Sequence, residues 1–302
     1  MSTDGAPLSN PMVFRNLGLG LGLRAPHFSI ATAGKANVSW FEVVTENFLG
    51  IAGGTGGPPL EKLRKVRENY QIVLHGVSLN IGSTDALNLE YLKNLKALDR
   101  QIEPAWVSDH FCWTGVNNHN LHDLLPLPYN RGTIDHLCER IQFCQDYLGR
   151  RMVFENVSSY LTYSHSEMTE WQFISEIAHR AGCGLLVDVN NIFVSSHNHK
   201  FDPLDFLRGL PRESVAQIHL AGHSIEGEIL IDTHDQPVAP EVWGLYAHAV
   251  KLFGPLSTMV EWDANIPSYQ ELEAEIFKAR HYWPEIKKSE RAPTGYIGDI
   301  NA

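Results

Sequence analysis

Eight short apolar runs, rich in β-branched residues, lie in order along the chain, at 17–23, 40–44, 72–79, 105–111, 152–157, 184–189, 215–221 and 257–262. Between most of them are stretches with helical spacing and a charged face, at 59–70, 89–102, 133–148, 167–181, 203–210 and 240–253. Strands alternating with helices imply parallel pairing through right-handed crossovers, with helices covering the sheet. Eight such units favour closure into a barrel over an open sheet, and a barrel of this length is commonly one domain. The expectation is an α/β chain, a single-domain (β/α)8 TIM barrel over 1–302. Its barrel spans about 17–265 and is followed by a short C-terminal extension, 269–302. That extension holds one helix from Tyr269 to about Trp283 and a polar end lying over the barrel.

The glycines of the first run are spaced for a strand and not for a nucleotide loop. Gly18, Gly20 and Gly22 alternate inside LGLGLGL, whereas a dinucleotide loop would need GxGxxG at a strand-to-helix turn. Alternate glycines in a strand leave room in a barrel interior or for a ligand at its mouth. The stretch 53–57 has no following Lys-Ser/Thr and is read as a flexible loop after the second strand, not a P-loop.

Charge narrows the partners. A formal net charge of −11 argues against a nucleic-acid backbone, which needs clustered Lys and Arg. It fits attraction of cations, although an acidic excess also simply keeps a protein in solution. Cys112, Cys138, Cys144 and Cys183 form no CxxC pair and read as buried or free thiols in a reducing compartment. No apolar run reaches membrane-spanning length, so the expected location is cytoplasmic, with no membrane partner.

Polar residues collect where the apolar runs end. The third run closes with His75, the fourth with Asp109 and His110, and the fifth with Glu155 and Asn156. The sixth closes with Asp188, Asn190 and Asn191, and the seventh with His219 and then His223. The loop IDTHD follows with Asp232, His234 and Asp235, and the eighth run ends in Glu261 and Asp263. A charged group ending an apolar strand is buried at a cost of several kcal/mol unless it is paired or bound to a metal. One such group is explained by a salt bridge. Six strands in succession ending this way converge, in a barrel, on one small volume. Carboxylates and imidazoles gathered there with few Lys or Arg need an added positive charge, which a divalent or trivalent cation supplies.

Each residue also has an ordinary explanation. His75 and His219 alone read as satisfied core histidines. Asp109 either orients His110, caps a helix or ligates directly. Asp188 and Asn191 would equally form an Asx turn. His197 and His199 lie in a polar loop, SSHNHKFDP, where one of them lines a substrate pocket or both face solvent. His223 lies past its strand and is placed at substrate. Glu155 and Glu261 have few such explanations. Mixed His and carboxylate ligands suit iron, manganese or catalytic zinc, and the surplus of candidates suggests several ions sharing bridging carboxylates.

The runs WFEVVTENF, VLHGVSLNIGS, WVSDHFCW, FENVSSY, VDVNNIFVSSHNH, IHLAGH, IDTHD and VEWD resemble the multinuclear non-haem iron-dependent oxidative enzymes. These are TIM-barrel proteins that include the methanobactin maturase, and the resemblance covers about 17–265. It implies two or three iron ions in mixed Fe(II)/Fe(III) state, O2 as co-substrate, and oxidative modification of a ribosomally synthesised peptide, commonly at cysteine. It implies metal ligation by His75, His110, Glu155, Asn191, His219, His234 and Glu261, with Asp188 and Asp232 as further ligands. Asp263 and Asp109 are assigned catalytic roles, and Glu46, Asn47, His223 and His197 substrate contact. Partners implied are a small Cys-containing precursor peptide and a protein that recognises its leader. The rival readings are a sugar-isomerase or endonuclease-IV-like barrel using zinc or manganese, and a non-catalytic metal-binding protein.

Overall fold

The computed structural model describes residues 14–50, 57–117 and 119–284. Eight strands are β1 (Leu19–Gly22), β2 (Trp40–Val44), β3 (Gln71–His75), β4 (Val107–His110), β5 (Val153–Glu155), β6 (Gly184–Asp188), β7 (Val215–Leu220) and β8 (Ser257–Val260). They pair in parallel in chain order, and β8 returns to β1 to close the barrel. Around it lie α1 (Phe28–Thr32), α2 (Pro58–Arg67), α3 (Leu89–Ile102), α4 (Arg131–Leu148), α5 (Glu170–Ala181), α6 (Val189–His199), α7 (Pro203–Gly209), α8 (Pro240–Phe253) and α9 (Tyr269–Phe277).

The helices form where apolar spacing and end signals agree. In α3, Leu92, Leu95, Leu98 and Ile102 recur at three- and four-residue steps and are buried. The Asn88 side chain caps its start by accepting from Glu90 N and Tyr91 N. α4 starts behind Asn130 and stops at Gly149, whose φ of 80° suits glycine. α5 begins three residues later than the periodicity suggests, where Thr169 and Gln172 form a capping box.

Three elements depart from the sequence reading. The stretch after β6, expected to be a polar loop around His197 and His199, is the helix α6. Its Asn- and Ser-rich sequence is a weak helix former. The helix is set by Asp188, which caps it, and by burial of Ile192 and Val194. Two hairpins also rise from strand ends, Trp113–Val116 with His119–Leu125 and Ser224–Glu226 with Ile229–Ile231. The loop expected at 53–57 lies outside the described residues apart from Gly57, as does the polar end from 285 onward.

Inside the barrel, strand alternation builds an apolar floor from Trp40, Val73, Trp106, Val153, Leu186, Ala216 and Met259. Gly20 pairs with Trp40, and a Cβ there would overlap the indole, so this glycine makes room for the ring inside the barrel. On β7 the register against β6 steps from Leu185↔Val215 to Leu186↔Gln217. This bulge beside Ala216 changes which residues face inward, so Gln217 and His219 point into the barrel. All four cysteines are buried free thiols. Gly20→Ala is expected to destabilise the fold by about 1–3 kcal/mol through overpacking against Trp40, read from the midpoint of chemical denaturation.

Candidate metal centre

Above the floor the inward positions turn polar. His75 ends β3 and His110 ends β4. His75 Nδ1 lies 2.8 Å from Ser108 Oγ, which donates to Leu74 O, and His110 Nδ1 donates to Gly76 O at 3.0 Å. With each Nδ1 acting as donor, each Nε2 carries the lone pair. Both Nε2 atoms point at the same oxygen, Glu155 Oε2, at 3.1 and 3.2 Å. A lone pair facing a carboxylate oxygen is repulsive unless a proton or a cation lies between them.

The pattern repeats at His219. Its Nε2 sits 3.0 Å from Glu42 Oε1, and Glu42 is held by Gln217 Nε2 at 2.6 Å. Gln217 is held in turn by Trp106 Nε1 at 2.7 Å, which ties the site to the floor. His219 Nδ1 then faces Glu261 Oε2 at 3.2 Å, Glu155 Oε1 at 3.5 Å and Asp188 Oδ2 at 3.9 Å. Asp188 divides its two oxygens: Oδ1 accepts from Asn191 N at 2.6 Å to cap α6, and Oδ2 looks into the site. The Asx turn and the site role are thus both geometrically met.

A third group surrounds His234, whose φ of 47° turns its ring inward from the loop after β7. Its Nδ1 lies 3.2 Å from Asp263 Oδ2 and 3.5 Å from Glu261 Oε2, and its Nε2 lies 2.7 Å from Asp232 Oδ1. Arg24 grips the outer oxygens of two of these acids, Glu261 Oε1 at 3.1 Å and Asp263 Oδ1. Their inner oxygens are left facing the histidines.

Three clusters therefore adjoin: His75, His110 and Glu155; Glu155, Asp188, His219 and Glu261; His234, Glu261 and Asp263. Within each, candidate ligand atoms lie within 4.8 Å of one another. Glu155 joins the first to the second, and Glu261 joins the second to the third. The donor set fits metal ions. Asp188 Oδ2 and Asn191 Oδ1 are buried without a hydrogen-bond partner, and Glu155 Oε2, His219 Nδ1 and His234 Nε2 gain one only where a histidine is protonated. Unpartnered buried polar atoms are expensive.

The protonation states follow from this crowding. Burial disfavours a charged imidazole, but Glu42 and Glu155 outweigh it at His75 and raise its pKa to about 9. The same contest, won by neighbouring carboxylates, holds His219 and His234 well above the usual range. Burial opposes charge on Glu155 and Glu261 as well, yet His219 leads the groups that pull both below the usual carboxylate range. Asp188 moves the other way, pushed up by burial and by Glu155.

The remaining sequence candidates fall in several places. Asn191 is buried at the start of α6, with Nδ2 on Asn156 O at 3.1 Å and Oδ1 unpartnered. Asp232 accepts from Asn190 Nδ2 at 2.7 Å, and Asn190 Oδ1 meets His223 Nδ1 at 2.8 Å, so His223 connects to the rim of the third group. Asp109 lies on the opposite face of β4 from Ser108 and His110 and joins none of the three clusters. Its oxygens accept from His110 N at 2.8 Å and Leu79 N at 3.2 Å, and burial raises it to about 7. Glu46 accepts from Val77 N and Tyr91 Oη at 3.0 and 2.8 Å, while Asn47 is exposed beside it. His197, at the exposed end of α6, bonds Glu228 O at 3.0 Å.

Sequence reasoning missed Glu42, Ser108, Gln217 and Arg24. Glu42 carried a usable signal, being an acid that follows apolar residues in WFEVV, as Glu155 does in VFENV. Arg24 follows LGLGLGL directly, and its presence departs from the expectation of a site nearly free of basic side chains.

Two outcomes test this geometry. The metal-free protein at pH 7 holds protons on His75, His219 and His234, so loading a divalent cation is expected to release protons, measurable by calorimetry in buffers of different ionisation enthalpy. The sign follows from the raised pKa: stability drawn from charged His75 is complete below pH 6.5 and lost as pH rises through about 9. Proton release should therefore shrink, and apparent metal affinity rise, between pH 7 and 9. Separately, Ser108→Ala removes the partner that orients His75 and should weaken metal binding roughly 10-fold with the barrel intact, as read by competition with a chelator.

Comparison with known proteins gives a consistent setting. The family model described as RiPP precursor modification enzyme MbnB/TglH/ChrH matches residues 18–283. A UPF0276 protein of Anaeromyxobacter sp. is 49% identical over 265 residues, covering 88% of this chain and 92% of that protein. One from Caulobacter vibrioides is 48% identical over 267 residues, covering 88% and 94%. Among solved structures, a xylose isomerase domain protein from Salmonella typhimurium superposes with a TM-score of 0.61 at 13% identity, covering 89% of this chain and 98% of that one. Endonuclease IV from Thermus thermophilus does so with a TM-score of 0.57 at 14% identity, covering 88% and 98%. At these identities the structural likeness is one of fold. No helix among the described residues is long and apolar enough to cross a membrane.

Proposed function

The chain belongs to the family of RiPP precursor modification enzymes MbnB/TglH/ChrH, and on that footing we propose that it is an iron-dependent oxidoreductase. In this reading it carries two or three iron ions at the barrel mouth and uses O2 to oxidise a cysteine of a ribosomally made peptide. A small partner protein presents the leader of that peptide. The observation that supports the reading most strongly is that Glu155 and Glu261 link three adjoining groups of histidines and carboxylates at the barrel mouth.

Iron held there would bind the substrate thiolate and supply the Fe(II)/Fe(III) couple for O2 chemistry. The chain's own residues do the rest. Glu155 and Glu261, each shared by two clusters, would hold neighbouring ions between them. Ser108, the Gly76 carbonyl and Glu42 fix the tautomers of His75, His110 and His219, so that the lone-pair nitrogens face inward. Asn191 and Asp232 complete the ligand set from the edges.

Asp263 is the acid of the site that reaches solvent, its side chain 46% exposed. It is placed to take the thiol proton of an incoming cysteine, while Arg24 steadies its other oxygen. Asp109 acts through position, tying Leu79 N and His110 N together behind the first cluster. His223 lies where a peptide enters, and Asn47 and His197 line the approach.

Glu155→Gln keeps the volume but removes the shared charge. Iron content is expected to fall sharply in this variant while the circular dichroism spectrum is unchanged. Protein purified without oxygen should show coupled iron in Mössbauer spectra and consume O2 when a Cys-containing peptide is added. Zinc alone with no O2 uptake, or full iron content in Glu155→Gln, would overturn the proposal.

A further inference from the structure

The hairpin between β7 and α8 grows out of the site itself. It leaves the barrel just past His219, runs by way of His223, and returns to Asp232 and His234. Its strands Ser224–Glu226 and Ile229–Ile231 pair as Ser224↔Ile231, Ile225↔Leu230 and Glu226↔Ile229 around the turn Gly227-Glu228. Gly227 has a φ of 63°, the first position of a tight two-residue hairpin turn.

The two edges of this hairpin are treated differently. On the return strand, Leu230 N donates to Asn198 Oδ1 and Leu230 O accepts from Asn198 Nδ2, both at 3.0 Å. A side-chain amide thus closes that edge against α6. Because the backbone groups of Leu230 point to Asn198, Leu230 and Ile225 form a non-hydrogen-bonded antiparallel pair. The N–H and C=O of Ile225 therefore point to the opposite edge, where no other described element is paired with this strand. Ile225 is 74% exposed, more than any other large apolar residue described. Natural proteins usually block such an edge. Here one edge is blocked and the other is left open.

The surroundings select an occupant. Glu226 and Glu228 are exposed at the tip, and no Lys or Arg occurs between Arg212 and Lys251. From the foot of the hairpin, His223, Asn190 and Asp232 form a hydrogen-bonded path to His234. An extended chain on the open edge is then only about two or three residues, ~7–10 Å, from that path.

We propose that the open edge at Ile225 docks the substrate as an added β-strand, selecting an extended peptide segment with basic residues near its cysteine. This rests on the chain being a peptide-modifying enzyme. Backbone pairing supplies affinity without reading sequence, and the acidic tip supplies the charge preference.

The test uses the full-length, metal-loaded protein and two fluorescein-labelled synthetic peptides. Both are short, Thr- and Val-rich and carry a central Cys, flanked by Lys in one and by Glu in the other. The Lys peptide is expected to bind more tightly in fluorescence anisotropy and to slow hydrogen exchange at the Ile225 amide. Ile225→Pro removes the outward N–H together with an exposed apolar side chain, at an edge position where proline is accepted, and should weaken the Lys peptide by about tenfold with metal content unchanged. The exposed double variant Glu226→Lys/Glu228→Lys should reverse the preference between the peptides, and reads the proposal even if the proline variant misfolds. Equal binding of both peptides, binding unaffected by Ile225→Pro, or an Ile225 amide that stays unprotected would overturn it. So would a dimer in which that amide is already protected, since the edge would then belong to a second copy. Protein that holds zinc alone and takes up no O2, yet binds the Lys peptide at this edge, would keep the docking and reject the iron chemistry. Iron-loaded, oxygen-consuming protein without protection at Ile225 would do the reverse.

Discussion

Six carboxylates, those of Glu42, Glu155, Asp188, Asp232, Glu261 and Asp263, meet four imidazoles and one guanidinium at the mouth of a barrel whose floor is apolar. Taking a carboxylate out of water costs several kcal/mol even after relaxation. The surrounding structure is arranged so that this cost is offset by charge and not by solvent. Glu155 is the pivot: both of its oxygens face imidazole nitrogens, and it belongs to two of the three clusters. With protons on the histidines the site is tolerable. With cations in their place, the same lone pairs become ligands.

That arrangement depends on layers beneath it. Trp40 fits into the barrel because residue 20 is glycine, and Trp106 holds Gln217, which holds Glu42, which sets His219. The bulge beside Ala216 is what turns Gln217 and His219 inward. The apolar floor and the polar mouth are thus one connected structure, in which packing at the bottom is carried up to the orientation of a ring nitrogen. Hairpins rise above it after β4 and β7, the second from the site itself. Their outer strands, His119–Leu125 and Ser224–Glu226, are largely exposed.

Much of the candidate site was legible because strand period and residue type agree. Glu155 and Glu261 each follow apolar residues on a strand, and in both cases no ordinary role accounts for them. Period-two alternation also carried information that residue type obscured. Ser108 and His110 share a face, so Asp109 between them must point away, as it does. Glu42 was readable by the same logic as Glu155. Arg24 was not, because its side chain reaches back from beyond a strand end to acids more than two hundred residues away. Nor was α6, whose Asn- and Ser-rich sequence becomes helical only through the Asp188 cap and the burial of its apolar face.

The sequence by itself determined the barrel and the presence of a crowded, acidic, histidine-rich mouth. Those follow from local periodicity and from the cost of burying charge, which are properties of short stretches. The tertiary structure alone decided which oxygen of each carboxylate faces which nitrogen, how two glutamates join three clusters, and which hairpin edge stays open. These depend on register, on one bulge and on contacts between residues distant in the chain, and no window of sequence contains them.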